Sequence, residues 1–356
     1  IIGLSFAGLT VNVLRHFVEI VLAIALYFVV TNTLRERRDL ERAVKALMLL
    51  GTAAALLGIV LYIIPDDLAV RLLSALRVFK YPAGDGVLRF IEDNPALPKR
   101  AISTSVDPNV LGGLLIMVTS LTLPQGLFPG RLFRRRWIAF MAGVMALCLL
   151  LTFSRGSLLG AIVSAAFIVF AWLSRRMPAL VAALATVGGA AALTLAAFGL
   201  LSVLPLTQSY AQHLLEGLMG QDRATLMRFG EYKDALSLIG RYPWFGIGFA
   251  GVPDIDLYLG VSSVYLLMAE EMGLVGLGAF LLVLAIFFAS AWQRYRALPQ
   301  VDPVLLGLMA AVLGALVGGI FDHYFFNLDF PHSVTLFWVF VGMTMAALTA
   351  PASEHD

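Results

Sequence analysis

Apolar residues run along this chain in long unbroken blocks, and polar residues gather between them. Nine blocks approach the roughly 20 residues that a helix needs to cross a bilayer. They lie near 14–34, 43–64, 108–128, 137–153, 157–173, 178–204, 262–292, 303–321 and 333–348. The fourth and fifth are parted only by Ser154-Arg155-Gly156, which predicts a hairpin there. The pattern predicts an all-α fold: a polytopic transmembrane helical bundle, a single domain over 1–356. A large loop at 205–261 should carry short amphipathic helices inside that domain.

The basic residues set an orientation. Arg35, Arg37, Arg38, Arg42 and Lys45 follow the first block, and Arg131, Arg134, Arg135 and Arg136 precede the fourth. Arg175 and Arg176 follow the fifth, and Arg294 and Arg296 follow the seventh. With nine spans these four clusters fall at alternate connections, so all lie on one side. The positive-inside rule makes that side the cytoplasm. The long connections at 65–107 and 208–261, and a shorter one at 322–332, then lie outside. The chain begins at Ile1 with no signal-peptide pattern, which reads as a fragment; for a full chain that starts in the cytoplasm, an odd number of earlier spans is then missing.

Composition narrows the class further. Of 356 residues, 60% are hydrophobic and 13% charged, a balance that excludes an ordinary soluble domain. The single cysteine, Cys148, lies inside an apolar block and is read as a small core residue. It allows neither an intrachain disulfide nor a metal site built on thiols. No metal or cofactor motif stands out, and nothing points to nucleic acid. The glycines at 246, 248 and 251 do not make a dinucleotide fingerprint, because no strand precedes them.

Polar chemistry collects in a few places. Arg155, between two spans, costs about 2.5–3.5 kcal/mol if held at mid-bilayer. It reads either as an interfacial residue facing headgroups or as an anion ligand, since a guanidinium grips phosphate through a bidentate fork. From Arg228 to Ile239 the rhythm is helical, with Phe229, Tyr232, Leu236 and Ile239 on one apolar stripe and Arg228, Glu231 and Ala235 on a neighbouring face. Arg228 and Glu231 are either a surface pair worth about 0.2–0.5 kcal/mol or part of an anion pocket that Arg223 joins. Pro243-Trp244-Phe245-Gly246-Ile247-Gly248 reads as a close-packed turn or as a ring that stacks on sugar. Asp107 and Pro108 suit the cap and first turn of a helix, and Arg100 just before them is a further anion ligand. Glu270 and Glu271, two turns into the seventh block, need partners, and Arg155 or Arg228 is expected to supply one. His323 beside Asp322 can act as a base near neutral pH, and otherwise His323 and His332 are interfacial residues.

The combined pattern resembles the O-antigen ligase and O-antigen polymerase superfamily. The resemblance rests on Thr152-Phe153-Ser154-Arg155-Gly156, on Arg228…Tyr232…Ala235 running to Pro243-Trp244-Phe245-Gly246-Ile247-Gly248, on Ser263-Val264-Tyr265-Leu266…Glu270-Glu271-Met272-Gly273-Leu274…Gly276, and on Asp107-Pro108-Asn109 after Arg100. It implies about twelve spans in the full chain, with the large loop between the ninth and tenth. It also implies a glycosyltransferase-like enzyme in the bacterial cytoplasmic (inner) membrane. Glycan carried on undecaprenyl pyrophosphate, a lipid-linked oligosaccharide or polysaccharide, would pass to a hydroxyl of a glycan acceptor at the outer face, among membrane lipid. Carried over by position, Arg155, Arg228 and Arg100 are the pyrophosphate ligands. One departure is plain: where ligases have a His-Asn pair before the span after the large loop, this chain has Ser262-Ser263.

The sequence thus predicts Arg155, Arg228 and His323 as catalytic and Arg100, Arg223, Tyr232, Trp244 and Glu270 as substrate-binding, with no metal and no cofactor. Two rival readings stand beside it. A transporter of lipid-linked or anionic substrate would line a mid-membrane path with charge, whereas here charge collects at the outer mouth. A non-catalytic subunit of a membrane protein complex would fit the missing histidine.

Overall fold

The computed structural model describes residues 10–79, 81–203, 215–217, 219–220, 223–248, 261–326 and 330–349. Each of the nine apolar blocks is a helix. In chain order they are α1 (Val11–Thr33), α2 (Arg37–Ile63), α4 (Pro108–Leu127), α5 (Arg135–Leu151), α6 (Arg155–Leu173), α7 (Ala179–Val203), α9 (Val264–Ala297), α10 (Pro303–Gly318) and α11 (Pro331–Thr349). Between them, among the described residues, lie the more polar helices α3 (Asp66–Ser74) and α8 (Arg223–Arg241). No strand occurs among the described residues. Seven of the nine are long and apolar enough to cross a membrane, while α5 has 17 residues and α10 has 16. The protein is an all-α polytopic membrane bundle.

The chain divides into two compact units. The larger holds the described residues within Glu19–Ala165, Phe287–Gly319 and Tyr324–Asp356. Its centre is α4, packed against α2, α5, α10 and α11 and buried along most of its length. Lipid tails give helices little reason to separate from lipid and join one another, so close van der Waals approach has to hold them. Small residues permit that approach. Ser164 donates to the carbonyls of Gly160 at 2.9 Å and of Ala310 at 2.8 Å, stitching α6 to α10. A Cβ on Gly314 would run into the Ser164 hydroxyl. Cys148 is buried, and a Cβ on Gly58 would lie 2.9 Å from its sulfur.

The strongest polar link in this unit joins two helix starts. Asp302 caps α10, its Oδ1 accepting from Val304 N at 2.9 Å and Leu305 N at 3.4 Å. Both of its oxygens also accept from the Arg37 guanidinium, with Nη2 to Oδ1 at 2.9 Å. Arg37 and Asp302 side chains are 17% and 15% exposed, so this bidentate pair is largely out of water.

The connection at 65–107 is folded. Besides α3 it has three short 3-10 turns, Ala75–Phe79, Asp85–Val87 and Ile91–Asp93. Leu61, Ala69, Leu73, Val87 and Ile102 form a small buried cluster under it. Lys99 ties its far end back, donating to Asp66 Oδ1 at 2.6 Å and to the Ile64 carbonyl at 3.2 Å. This leaves Arg100 at the point where the connection meets α4.

The smaller unit holds the described residues within Ile1–Val18, Ala166–Ile286 and Ile320–His323. It contains α7, α8 and the first two thirds of α9. Within α9 the backbone breaks at Gly273, which has φ 70° and ψ −179°.

Candidate functional site

The predicted site residues fall in both units. Arg100 and Arg155 belong to the larger, and Arg223, Arg228, Tyr232, Trp244, Glu270 and His323 belong to the smaller.

In the larger unit the chain turns sharply between α5 and α6. Phe153 sits at φ 52°, and Arg155 is the first residue of α6, half buried. The hairpin predicted at 154–156 is present. The hydroxyls of Ser154 and Ser157 are 2.9 Å apart, and Gly112 on α4 leaves room for Ser157. Arg100 bridges this turn to α4: its Nε donates to the Thr152 carbonyl at 2.8 Å and its Nη2 to Asn109 Oδ1 at 2.9 Å. Asp107 caps α4 as expected, accepting from Asn109 N at 2.7 Å and Val110 N at 3.4 Å, with Pro108 in the first turn. Ser103 and Val106, also in left-handed backbone, lie in the same short lead to α4. For a β-branched valine that conformation is costly and persists only where its surroundings impose it.

In the smaller unit α8 carries the charges. The buried side of α8 is Ala235 and Leu238, with Arg228, Glu231, Tyr232 and Ile239 half buried beside them. The apolar stripe is divided: Tyr232 and Ile239 are half buried, while Phe229 is 58% and Leu236 59% exposed. Hydrophobicity ranks faces by their aversion to water, and beside a membrane an apolar face can turn to lipid instead of protein. The polar neighbouring face, Arg228 with Glu231 and Ala235, is the one the fold covers.

That face meets the end of the loop before α9. Glu231 Oε2 accepts from the backbone N–H of Ser262 at 2.9 Å and from its hydroxyl. Tyr232 donates its phenol to the Ile320 carbonyl at 3.2 Å. Burial pushes the Tyr232 phenol above its ordinary range, opposed by the nearby Arg228 charge and assisted by Glu231 and Asp322. Arg228 makes no hydrogen bond or ion pair with the described residues, and it does not pair with Glu231 although one turn separates them. His323 Nδ1 is buried, has no hydrogen bond among the described residues, and lies 4.0 Å from Asp322 Oδ1. Arg223 opens α8, and its side chain lies outside the described residues, as do Asp222 and residues 249–260. His332 belongs to the larger unit and is exposed at the start of α11.

The turn after α8 is wedged into the break of α9. In an intact helix the N–H of Leu274 would bond to the Glu270 carbonyl and that of Val275 to the Glu271 carbonyl. Here both bonds are opened and the loop takes each half. Leu274 N donates to Pro243 O at 2.8 Å and Val275 N to Trp244 O at 3.3 Å, while Ile247 N donates to Glu270 O at 2.8 Å and Gly248 N to Glu271 O at 2.9 Å. All four backbone groups opened in α9 are thereby satisfied. Gly246 has φ 67°, and a Cβ there would lie 2.5 Å from the carbonyl carbon of Glu271. A Cβ on Gly273 would strike the Trp244 carbonyl. The clasp leaves Trp244 67% and Phe245 57% exposed at its tip.

Glu270 and Glu271 thus contribute through their carbonyls. The arginine partner expected for them is not found: neither makes an ion pair among the described residues. Glu270 instead lies within electrostatic reach of Asp234. Among the described residues no group of three or more His, Cys, Asp or Glu is placed to hold a metal ion. The Glu231–Ser262 contact escaped sequence reading, because 31 residues separate the two and nothing local pairs them.

Residues 140–281 match the family model described as O-antigen ligase. The matched segment takes in Arg155, all of α8, the clasp and Ser262, and it supports the O-antigen ligase and polymerase superfamily. It points to a membrane protein that ligates or polymerises glycan. No curated protein matches the chain.

Proposed function

With an O-antigen ligase segment as the premise, we propose that this protein joins or extends glycan carried on undecaprenyl pyrophosphate, at the outer face of the bacterial cytoplasmic membrane. The acceptor is a hydroxyl of a second glycan. Chemically the step needs a cation where the diphosphate leaves, a base or positioning group for the acceptor hydroxyl, and a surface for sugar. Negative charge grows on the departing diphosphate, so a fixed guanidinium lowers the barrier electrostatically.

The observation that carries this reading is Arg228. A half-buried guanidinium with no hydrogen bond or ion pair among the described residues is unusual, because charge removed from water normally finds a partner. An anionic ligand supplies one. Arg155, at the head of α6, is the second proposed pyrophosphate ligand. Arg100, with two donor groups committed to Thr152 and Asn109, assists by holding the turn that presents Arg155. Arg223 adds positive charge, Tyr232 and exposed Trp244 offer faces for sugar or headgroup, Glu270 flanks them, and His323 is the base read from sequence.

Arg228→Ala should lower glycan transfer at least about 100-fold, the scale of losing one preorganised donor to developing charge, while membrane insertion and thermal stability stay at wild-type levels. Transfer assayed in membranes of a strain lacking the native protein checks this, and undiminished transfer overturns the assignment.

A further inference from the structure

Glu231 is engaged in a way that a surface carboxylate is not. Its Oε2 receives two donors from a single residue, Ser262 N at 2.9 Å and the Ser262 hydroxyl. Ser262 lies two residues before α9, so α8 and the head of α9 fix the carboxylate jointly. Oε1 accepts no hydrogen bond from the described residues. The carboxylate is half buried, rigidly aimed through one oxygen and open at the other. Arg228 precedes it by three residues, which puts the two Cβ atoms about 5–6 Å apart on one face of α8.

We propose that Glu231 takes the proton from the acceptor hydroxyl in glycan transfer, with Ser262 as the residue that positions it. The inference rests on the glycan-transfer reading above. In the step, the acceptor O–H bond breaks and its proton passes to Glu231 Oε1. The acceptor oxygen forms a bond to the anomeric carbon of the donor sugar. The bond from that carbon to the phosphate oxygen breaks, and its electron pair leaves on the lipid diphosphate, drawn by Arg228. Glu231 returns the proton to water after the products depart. The spacing of Arg228 and Glu231 suits the two ends of this displacement, since the leaving oxygen and the attacking oxygen flank one carbon.

The test uses the full chain in detergent or nanodiscs, with the native repeat glycan on undecaprenyl pyrophosphate as donor and the native glycan acceptor. Glu231→Gln keeps the shape and an oxygen for Ser262 but removes the basic site. It should lower kcat about 100-fold or more, the range of a lost general base, with KM for the donor changed less than about threefold and an unchanged melting temperature. Ser262→Ala should lower kcat about five- to tenfold, because the carboxylate remains but is no longer aimed. Wild-type kcat in Glu231→Gln overturns the inference, as does a loss confined to KM, or a kcat loss found in His323→Gln and absent from Glu231→Gln. If Arg228→Ala abolishes transfer in the same preparation while Glu231→Gln does not, the function stands and only the inference falls. If the wild-type protein transfers nothing to the acceptor, both fall.

Discussion

The core around α4 and the clasp between α8 and α9 solve the problem of close approach in opposite ways. Around α4 each helix keeps its own backbone bonds, and glycine clears space for a neighbour's side chain, as Gly314 does for Ser164, or for its intact backbone, as Gly307 does for Leu121. In the clasp a helix gives up two of its own backbone bonds, and a loop takes over both halves. The Gly314–Ser164 contact is tolerant, because a serine hydroxyl can turn aside. The clasp is not, because a carbonyl fixed at both ends of its peptide cannot. The arginines divide along the same line. Arg100 spends its donors on backbone and Asn109 and so stiffens a turn. Arg228 spends none on the described residues and is left for a ligand.

The sharpest way to break this contrast is at Gly273. Its φ 70°, ψ −179° conformation is essentially closed to residues with a Cβ, and a Cβ there meets backbone, not side chain. Gly273→Ala should cost about 4 kcal/mol or more, the range reserved for backbone strain and lost bonds combined. The alternative open to the variant is to straighten α9 and expel the loop, which exposes the backbone of 243–248. Either result shows as a lower unfolding temperature or as new protease cleavage at that loop. A variant with wild-type stability and an uncut loop would mean that the clasp holds nothing in place.

The same contrast explains what the sequence reveals and what it hides. Helices α1, α2, α4–α7 and α9–α11 are legible because a bilayer demands long apolar runs, and such runs are read directly from composition. The Asp107-Pro108 cap is legible because it is local. The α5–α6 hairpin is legible because three residues interrupt two runs. The clasp is hidden because it is made of peptide groups, which every residue has. Only the glycines at 246 and 273 betray it, and they do not name each other as partners. The buried side of α8 is not legible from periodicity, because two solvents compete for its apolar residues. The fold of 65–107 is hidden because its cluster joins Leu61 to Ile102 across a loop without strong periodicity. Of the residues proposed to act, Arg228 and Tyr232 stand out in the sequence as a charge and an aromatic ring in a polar stretch between long apolar runs. Ser262 is legible only as the place where a His-Asn pair is missing, and its pairing with Glu231 is not legible.

A smaller effect is expected from the Arg37–Asp302 pair, the tightest charge contact in the larger unit. Arg37→Ala leaves Asp302 with two backbone donors and no countercharge in a site only 15% exposed. Breaking one side of such a pair costs about 3 kcal/mol, read as a lowered unfolding temperature in detergent. The double variant Arg37→Leu with Asp302→Asn should recover part of it, since the Asp302 charge is then gone and the α10 cap survives, while Glu41 still loses its Arg37 partner. A single variant as stable as wild type would show that headgroups or water replace the guanidinium. Helix ends in this unit would then need no ion pair.

The finest comparison lies within α8, between two leucines two residues apart. Leu238 is 2% exposed and Leu236 is 59% exposed. If the fold covers the Arg228–Glu231–Ala235 side, Leu238→Ala should cost about 2 kcal/mol, the low end for a buried leucine whose surroundings can relax. Leu236→Ala should cost under about 0.5 kcal/mol, the range of surface substitutions. Both are measured by thermal unfolding in the same detergent, so the shared solvent cancels from the difference. Equal costs would mean that Leu236 is covered as well and that the apolar stripe read from periodicity is also a packing face. Arg228 and Glu231 would then sit on the rim of α8 instead of its covered side, and Ser262 would be the only thing holding the carboxylate. The Ser262→Ala loss in kcat should in that case approach the Glu231→Gln loss. The ratio of the two leucine costs therefore also reports how much of the aim of Glu231 comes from α8 itself.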